Sequence, residues 1–126
     1  MEPKPLPRMR LNRLQKTAVS ALEDIKARDI TVLDVRKITS LYDTLIVASG
    51  DSARQVKALA QNVRDKLKES GATIIGVEGE ETGEWVLVDA GDIVVHVMQP
   101  AVRAYYNLEE LWTPPTRGAR PARAAA

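Results

Sequence analysis

Residues 83 to 98 read Gly-Glu-Trp-Val-Leu-Val-Asp-Ala-Gly-Asp-Ile-Val-Val-His-Val-Met, two apolar runs joined at Asp89-Ala90-Gly91-Asp92. Two β-branched runs split by a short polar and glycine turn fold as a β-hairpin. A two-residue loop would put Ala90 at positive φ, which a residue with a Cβ resists; a three-residue loop, Asp89-Ala90-Gly91, needs only Gly91 there. That loop predicts Val88 opposite Asp92 and Glu84 opposite His96. Trp85, Leu87, Ile93, Val95 and Val97 then share one face, and Glu84, Val86, Val88, Asp92, Val94, His96 and Met98 the other. Both faces are largely apolar. Such a hairpin either lies in a sheet covered by helices on both sides or leaves an apolar patch, rimmed by charge, for a partner.

The rest of the chain supplies the covering. Asn12 and Gln15 resemble a capping box, and Leu14, Ala18, Ala21, Leu22 and Ile25 recur at helical spacing, which predicts a helix over 13–28. Ile30 to Val35 and Thr44 to Ser49 read as strands with a loop between them. Ser52 and Gln55 form a second capping box ahead of the stripe Val56, Leu59, Ala60, Val63 and Leu67, which stops before Gly71. Thr73 to Val77 reads as a third strand before the hairpin. Gln99-Pro100 opens a short helix reaching Tyr106, with one further turn over Leu108 to Trp112. The expected architecture is a single α/β domain: a mixed sheet of about five strands covered by helices. It lacks the alternating βαβ units and the Gly-x-Gly-x-x-Gly of a dinucleotide-binding domain.

At 126 residues the chain fits one domain. It has no Cys and one His, which removes disulfides, thiolate nucleophiles and zinc-thiolate sites and disfavours His-rich metal sites. No apolar run is long enough for a membrane span, and Met1 to Arg13 has no apolar segment after its basic residues, so the expected location is cytoplasmic. The net charge of +1 is unevenly spread: residues 1–13 carry +3 and residues 113–126 another +3, leaving −5 between them. The expected division is a basic, Pro-rich, disordered tail over 1–12, a domain over 13–112, and a second basic, disordered tail over 113–126. Basic tails on an acidic body suit a partner with a cationic protein surface and nucleic-acid phosphates; they also suit solubility alone.

Each chemical candidate has a structural alternative. His96 has a pKa suited to a general base, with Glu84 across the strand to orient it, but no activated nucleophile lies nearby. Asp89 and Asp92 flank the turn, where Asp commonly caps backbone amides. Ser49-Gly50-Asp51-Ser52 runs from a strand into a helix N-terminus, yet it lacks a Walker lysine, and Asp51 repels phosphate. Arg54, Lys57, Gln61, Arg64 and Lys68 form a basic helix face that can meet RNA phosphates or simply be solvated. No catalytic group, metal site or cofactor is assigned.

A set of motifs spread over 14–112 resembles the ribosomal silencing factor, or Iojap, family. It comprises Leu33-Asp34-Val35, Ala48-Ser49-Gly50, Ser52 with Arg54-Gln55-Val56, and Val77-Glu78-Gly79. It continues with Glu84-Trp85-Val86, Asp89, Gly91-Asp92, Val94-Val95-His96-Val97 and Tyr106-Asn107-Leu108-Glu109-Glu110-Leu111-Trp112. The resemblance implies a fold similar to nucleotidyltransferases without their catalysis. It also implies binding to the large ribosomal subunit through ribosomal protein L fourteen, blocking small-subunit joining and repressing translation under nutrient limitation. It places the contact surface around Trp85, Asp89, Asp92, His96, Tyr106 and Trp112. Ala90 is small where members often carry Tyr or Leu, so the hairpin tip is expected to bury less area. Two other classes stand beside this reading: a nucleotidyltransferase-like enzyme using Asp89, Asp92 and Ser49-Gly50, and an RNA-binding module on the basic tails and second helix. An apolar sheet face also offers a seat for a second copy, a homodimer of the free protein.

Overall fold

A computed structural model of the chain describes residues 7–112. The elements are α1 (Pro7–Asp24), β1 (Arg28–Asp34), β2 (Thr44–Ser49), α2 (Ala53–Glu69), β3 (Gly76–Glu78), β4 (Trp85–Asp89), β5 (Ile93–Met98), α3 (Pro100–Tyr106) and α4 (Leu108–Leu111). The expected order of helices and strands is the order found. The strands form one five-stranded mixed sheet in the order β1-β2-β5-β4-β3, with β2 and β5 parallel and the other neighbours antiparallel.

Helix α2 follows directly from its sequence. The Ser52 hydroxyl accepts the Gln55 amide at 3.1 Å as the N-cap. The Gln55 side chain reaches past the cap, taking the Asp51 amide and donating to the Ile25 and Lys26 carbonyls at 3.1 and 3.2 Å, which ties the end of α1 to the start of α2. Val56, Leu59, Ala60, Val63 and Leu67 are all buried, and each fully buried Val or Leu contributes about 1.5–3 kcal/mol.

Helix α1 begins at Pro7, earlier than the predicted residue 13, and ends at Asp24 rather than 28. Leu11 extends the apolar stripe one turn upstream onto the core, and Pro is well placed in a first turn. At the other end Lys26 turns to φ 62° and stops the helix. Residues 7–12 therefore belong to α1; the rest of the two expected tails, 1–6 and 113–126, lies outside the described residues. Strand β3 is shorter than expected and pairs with β4 only over Gly76–Glu78.

Helices α1 and α2 cover one sheet face, packing on Ile46, Ala48, Val86, Val88, Ile93, Val95 and Val97. The opposite face holds Val35, Leu45, Val47, Val94 and Met98, with Leu33, Tyr42, Trp85, Leu87 and residues of α3 and α4 packed against them. The central strands β2 and β5 are buried at every position because both faces are covered.

The hairpin register differs from the expected one. Val88 pairs with Val95, not Asp92, and Trp85 pairs with Met98. The turn is a two-residue turn centred on Gly91-Asp92, closed by the Ala90 amide donating to the Ile93 carbonyl at 2.9 Å. Gly91 carries the positive φ, 85°, at the first central position, where glycine is preferred, and Ala90 keeps an ordinary backbone. The register moves by an odd number of residues, so the faces exchange partners. Trp85, Leu87 and Asp89 stand with Val94, His96 and Met98, while Val86 and Val88 stand with Ile93, Val95 and Val97.

Candidate protein-docking face

The face beneath α3 and α4 collects the aromatic side chains. Trp85, at the start of β4, donates its indole N–H to His96 Nδ1 at 2.8 Å, so the neutral imidazole carries its proton on Nε2. The orienting group for His96 is this indole and not Glu84, because the observed register puts Leu87 opposite His96. His96 is 7% exposed, and burial pushes its pKa down to about 4. It is an uncharged acceptor under the surface. Trp85 packs on Tyr106 with ring centroids 4.9 Å apart, and Tyr106 meets Tyr105 edge-on at 5.0 Å. The row climbs from buried His96 to Tyr106, 54% exposed, and Tyr105, 80% exposed.

A second aromatic pair lies toward the hairpin tip. Tyr42 and Trp112 pack at 5.6 Å. The Tyr42 phenol has its pKa raised by burial and by the charge of Asp89. Asp89 Oδ1 accepts the Gly91 amide at 2.9 Å, a turn cap, and the Asp92 carbonyl accepts the Asp43 and Thr44 amides at 2.9 and 3.1 Å. Asp89 thus lies beside Tyr42, and the backbone ties Asp43 to Asp92 at the hairpin turn, an acidic corner in which the Arg36 guanidinium also acts on Asp43. Trp85 and Asp89 point to the same face from the two ends of β4, about 13 Å apart along the strand. Ile38, Leu41, Tyr105, Tyr106 and Leu111 stand exposed on segments framing this face. An apolar surface with an acidic corner suits a basic protein partner.

Of the six residues expected at the contact surface, the structure joins Trp85, His96 and Tyr106 in one group and places Trp112 and Asp89 beside Tyr42, with Asp92 in the hairpin turn bonded through its carbonyl to the amides of Asp43 and Thr44. Reasoning from sequence missed Tyr42, Tyr105 and Arg103, and quoted Glu109 only as part of the family motif. Tyr42 had one available signal, an aromatic residue just before a fully buried strand. Arg103 had another, a lone base in a short helix followed by acids.

The Ser49-Gly50 segment has a packing role. Ser49 Oγ accepts from Arg103 Nη1 at 2.9 Å. A Cβ at Gly50 would meet Val56 Cγ2 at 2.9 Å, so glycine is what lets α2 approach the strand end. Among the described residues, no three His, Asp or Glu side chains are grouped to hold a metal, and no helix is long and apolar enough to cross a membrane. The basic residues Arg54, Lys57 and Lys68 are exposed on α2, the helix layer opposite the aromatic face.

A protein from Chromobacterium violaceum named Ribosomal silencing factor RsfS is 62% identical over 104 residues, covering 82% of this chain and 85% of that protein. One of the same name from Bacillus subtilis is 42% identical over 97 residues, covering 77% and 82%. A crystal structure of a Chromobacterium violaceum protein superposes with a TM-score of 0.79 at 56% identity, covering 91% of this chain and 98% of that one. Residues 8–124 match the family described as Ribosomal silencing factor during starvation, and by that match the chain belongs to the ribosomal silencing factor family.

Proposed function

We propose that this protein binds the large ribosomal subunit by its aromatic face, against ribosomal protein L fourteen, and blocks joining of the small subunit, repressing translation under nutrient limitation. It acts in the cytoplasm as a steric regulator and not as an enzyme. The observation that carries this reading is the exposed aromatic and aliphatic surface of α3, α4 and the Tyr42 loop beside an acidic corner, in a chain of this family. Trp85, Tyr106 and Trp112 supply apolar contact area, Asp89 and Asp92 meet basic side chains, and His96 acts from beneath by holding Trp85. Basic residues of α2 and of both chain ends are available to ribosomal RNA. Helices cover both faces of the sheet, so a homodimer of the free protein, expected on an apolar sheet face, would use instead the exposed residues of α3 and α4.

The test is sedimentation of purified large subunits with the protein, followed by addition of small subunits. Full ribosomes are expected to form less readily with the protein than without it; equal formation overturns the reading. Trp85→Ala is expected to weaken large-subunit binding by about tenfold or more, as truncation of a central aromatic anchor does. Asp92→Ala is expected to weaken it less, as a rim charge. Unchanged binding by both variants assigns docking to another surface, and binding that depends only on the basic ends favours the RNA-binding alternative.

A further inference from the structure

We infer that Arg103 is the positioning residue of this docking face: it clamps α3 and α4 to β1 and β2 and thereby fixes where Tyr106 meets Trp85. The inference rests on the docking reading above. Helix α3 has seven residues and α4 four, and neither contains a fully buried residue; helices this short do not hold their shape alone. Their apolar anchors, Val102 and Leu108, are only partly buried. The polar clamp is more extensive. Arg103, whose side chain is 11% exposed, donates from Nη1 to Ser49 Oγ at 2.9 Å and from Nη2 to Thr31 Oγ1 at 3.0 Å. It also grips Glu109 with two bonds, Nε to Oε1 at 3.1 Å and Nη2 to Oε2 at 2.8 Å.

One guanidinium therefore joins two strands and two helices. Asn107, at φ 49°, reverses the chain between α3 and α4 so that Glu109 returns to Arg103. Tyr106 lies three residues beyond Arg103, on the adjoining part of the same helix surface, and packs on Trp85 at a tilt of 48°. Arg103 is too covered to offer much contact area, so its effect on docking passes through Tyr106. A lysine carries the charge but not the planar fork that reaches four acceptors.

Arg103→Gln, Arg103→Lys and Glu109→Gln in the full chain test this, each read by affinity for purified large subunits and by amide hydrogen exchange. Arg103→Gln is expected to bind about tenfold more weakly, and Arg103→Lys to recover little of that loss. The amides of Asn107 and Trp112, bonded to the Arg103 and Leu108 carbonyls, should exchange faster while those of β5 do not. Because both residues act through one aromatic contact, Arg103→Gln in a Tyr106→Ala background should add far less than its loss alone. Accelerated exchange in α3 and α4 with unchanged affinity, or losses that simply multiply, overturns the inference. If Arg103→Gln does not fold, Glu109→Gln carries the same comparison. Failure of the docking reading is distinct: Trp85→Ala and Tyr106→Ala would then both bind as the unaltered protein does.

Discussion

Burial makes His96 a residue with a measurable pH signature. The unfolded chain binds a proton on this imidazole below about pH 6.5, whereas the folded protein holds it neutral down to about pH 4. Between those values the unfolded state carries more protons, so stability falls as the pH falls. The expected loss is about 2 kcal/mol between pH 7 and pH 5. His96 is the only histidine in the chain, and Asp34, held at about 2 chiefly by its hydrogen bond from Arg36, titrates below this window. Urea unfolding at the two pH values should show this loss, and His96→Gln should remove most of it. The sequence favoured a structural or interface role for His96 over a general base; that this role is to accept a hydrogen bond arises only when the indole of Trp85 arrives from the neighbouring strand.

At the scale of elements, α2 was legible almost to the residue. Its cap, its apolar period and its end are all local signals, and local bonds satisfy them. Ser52→Ala is expected to cost about 1 kcal/mol by leaving the Gln55 amide without its side-chain acceptor, read as a lowered urea midpoint with unchanged slope. The hairpin was legible as a hairpin but not in register. Its strands are apolar on both faces, so a slip of an odd number of residues leaves the pattern almost unchanged and the period-two signal cannot choose. The turn decides, through Gly91, and its placement at Gly91-Asp92 carries Trp85 from one face to the other. Helices α3 and α4 were located from Pro100 and the leucines, yet what holds them, Arg103 with Ser49 and Thr31, spans 54 and 72 residues of chain. No local window contains that information.

Across the whole molecule, the aromatic face lies on one side of the sheet and helix α2, with Arg54, Lys57 and Lys68 exposed, on the other. The hairpin end of the aromatic face carries Asp89 and Asp92. For a partner surface rich in Lys and Arg, the acidic corner should act mainly on the rate of encounter. Raising the ionic strength from about 0.05 to about 0.3 M is expected to slow association with large subunits several-fold while changing dissociation less. Asp92→Asn should flatten that dependence, and a dissociation rate that carries the whole salt effect would assign Asp92 to the buried centre of the contact. The sequence by itself determined the order of elements, the amphipathic second helix, the presence of the hairpin though not the placement of its turn, the acidic body between basic ends and the motif set of the family, because each is written in neighbouring residues or in simple totals. Only the tertiary structure decided which face Trp85 occupies, that His96 holds it, and that Arg103 fixes the helices above it. These depend on strand register and on contacts between residues far apart in the chain, where packing and buried hydrogen bonds, rather than local periodicity, select the arrangement.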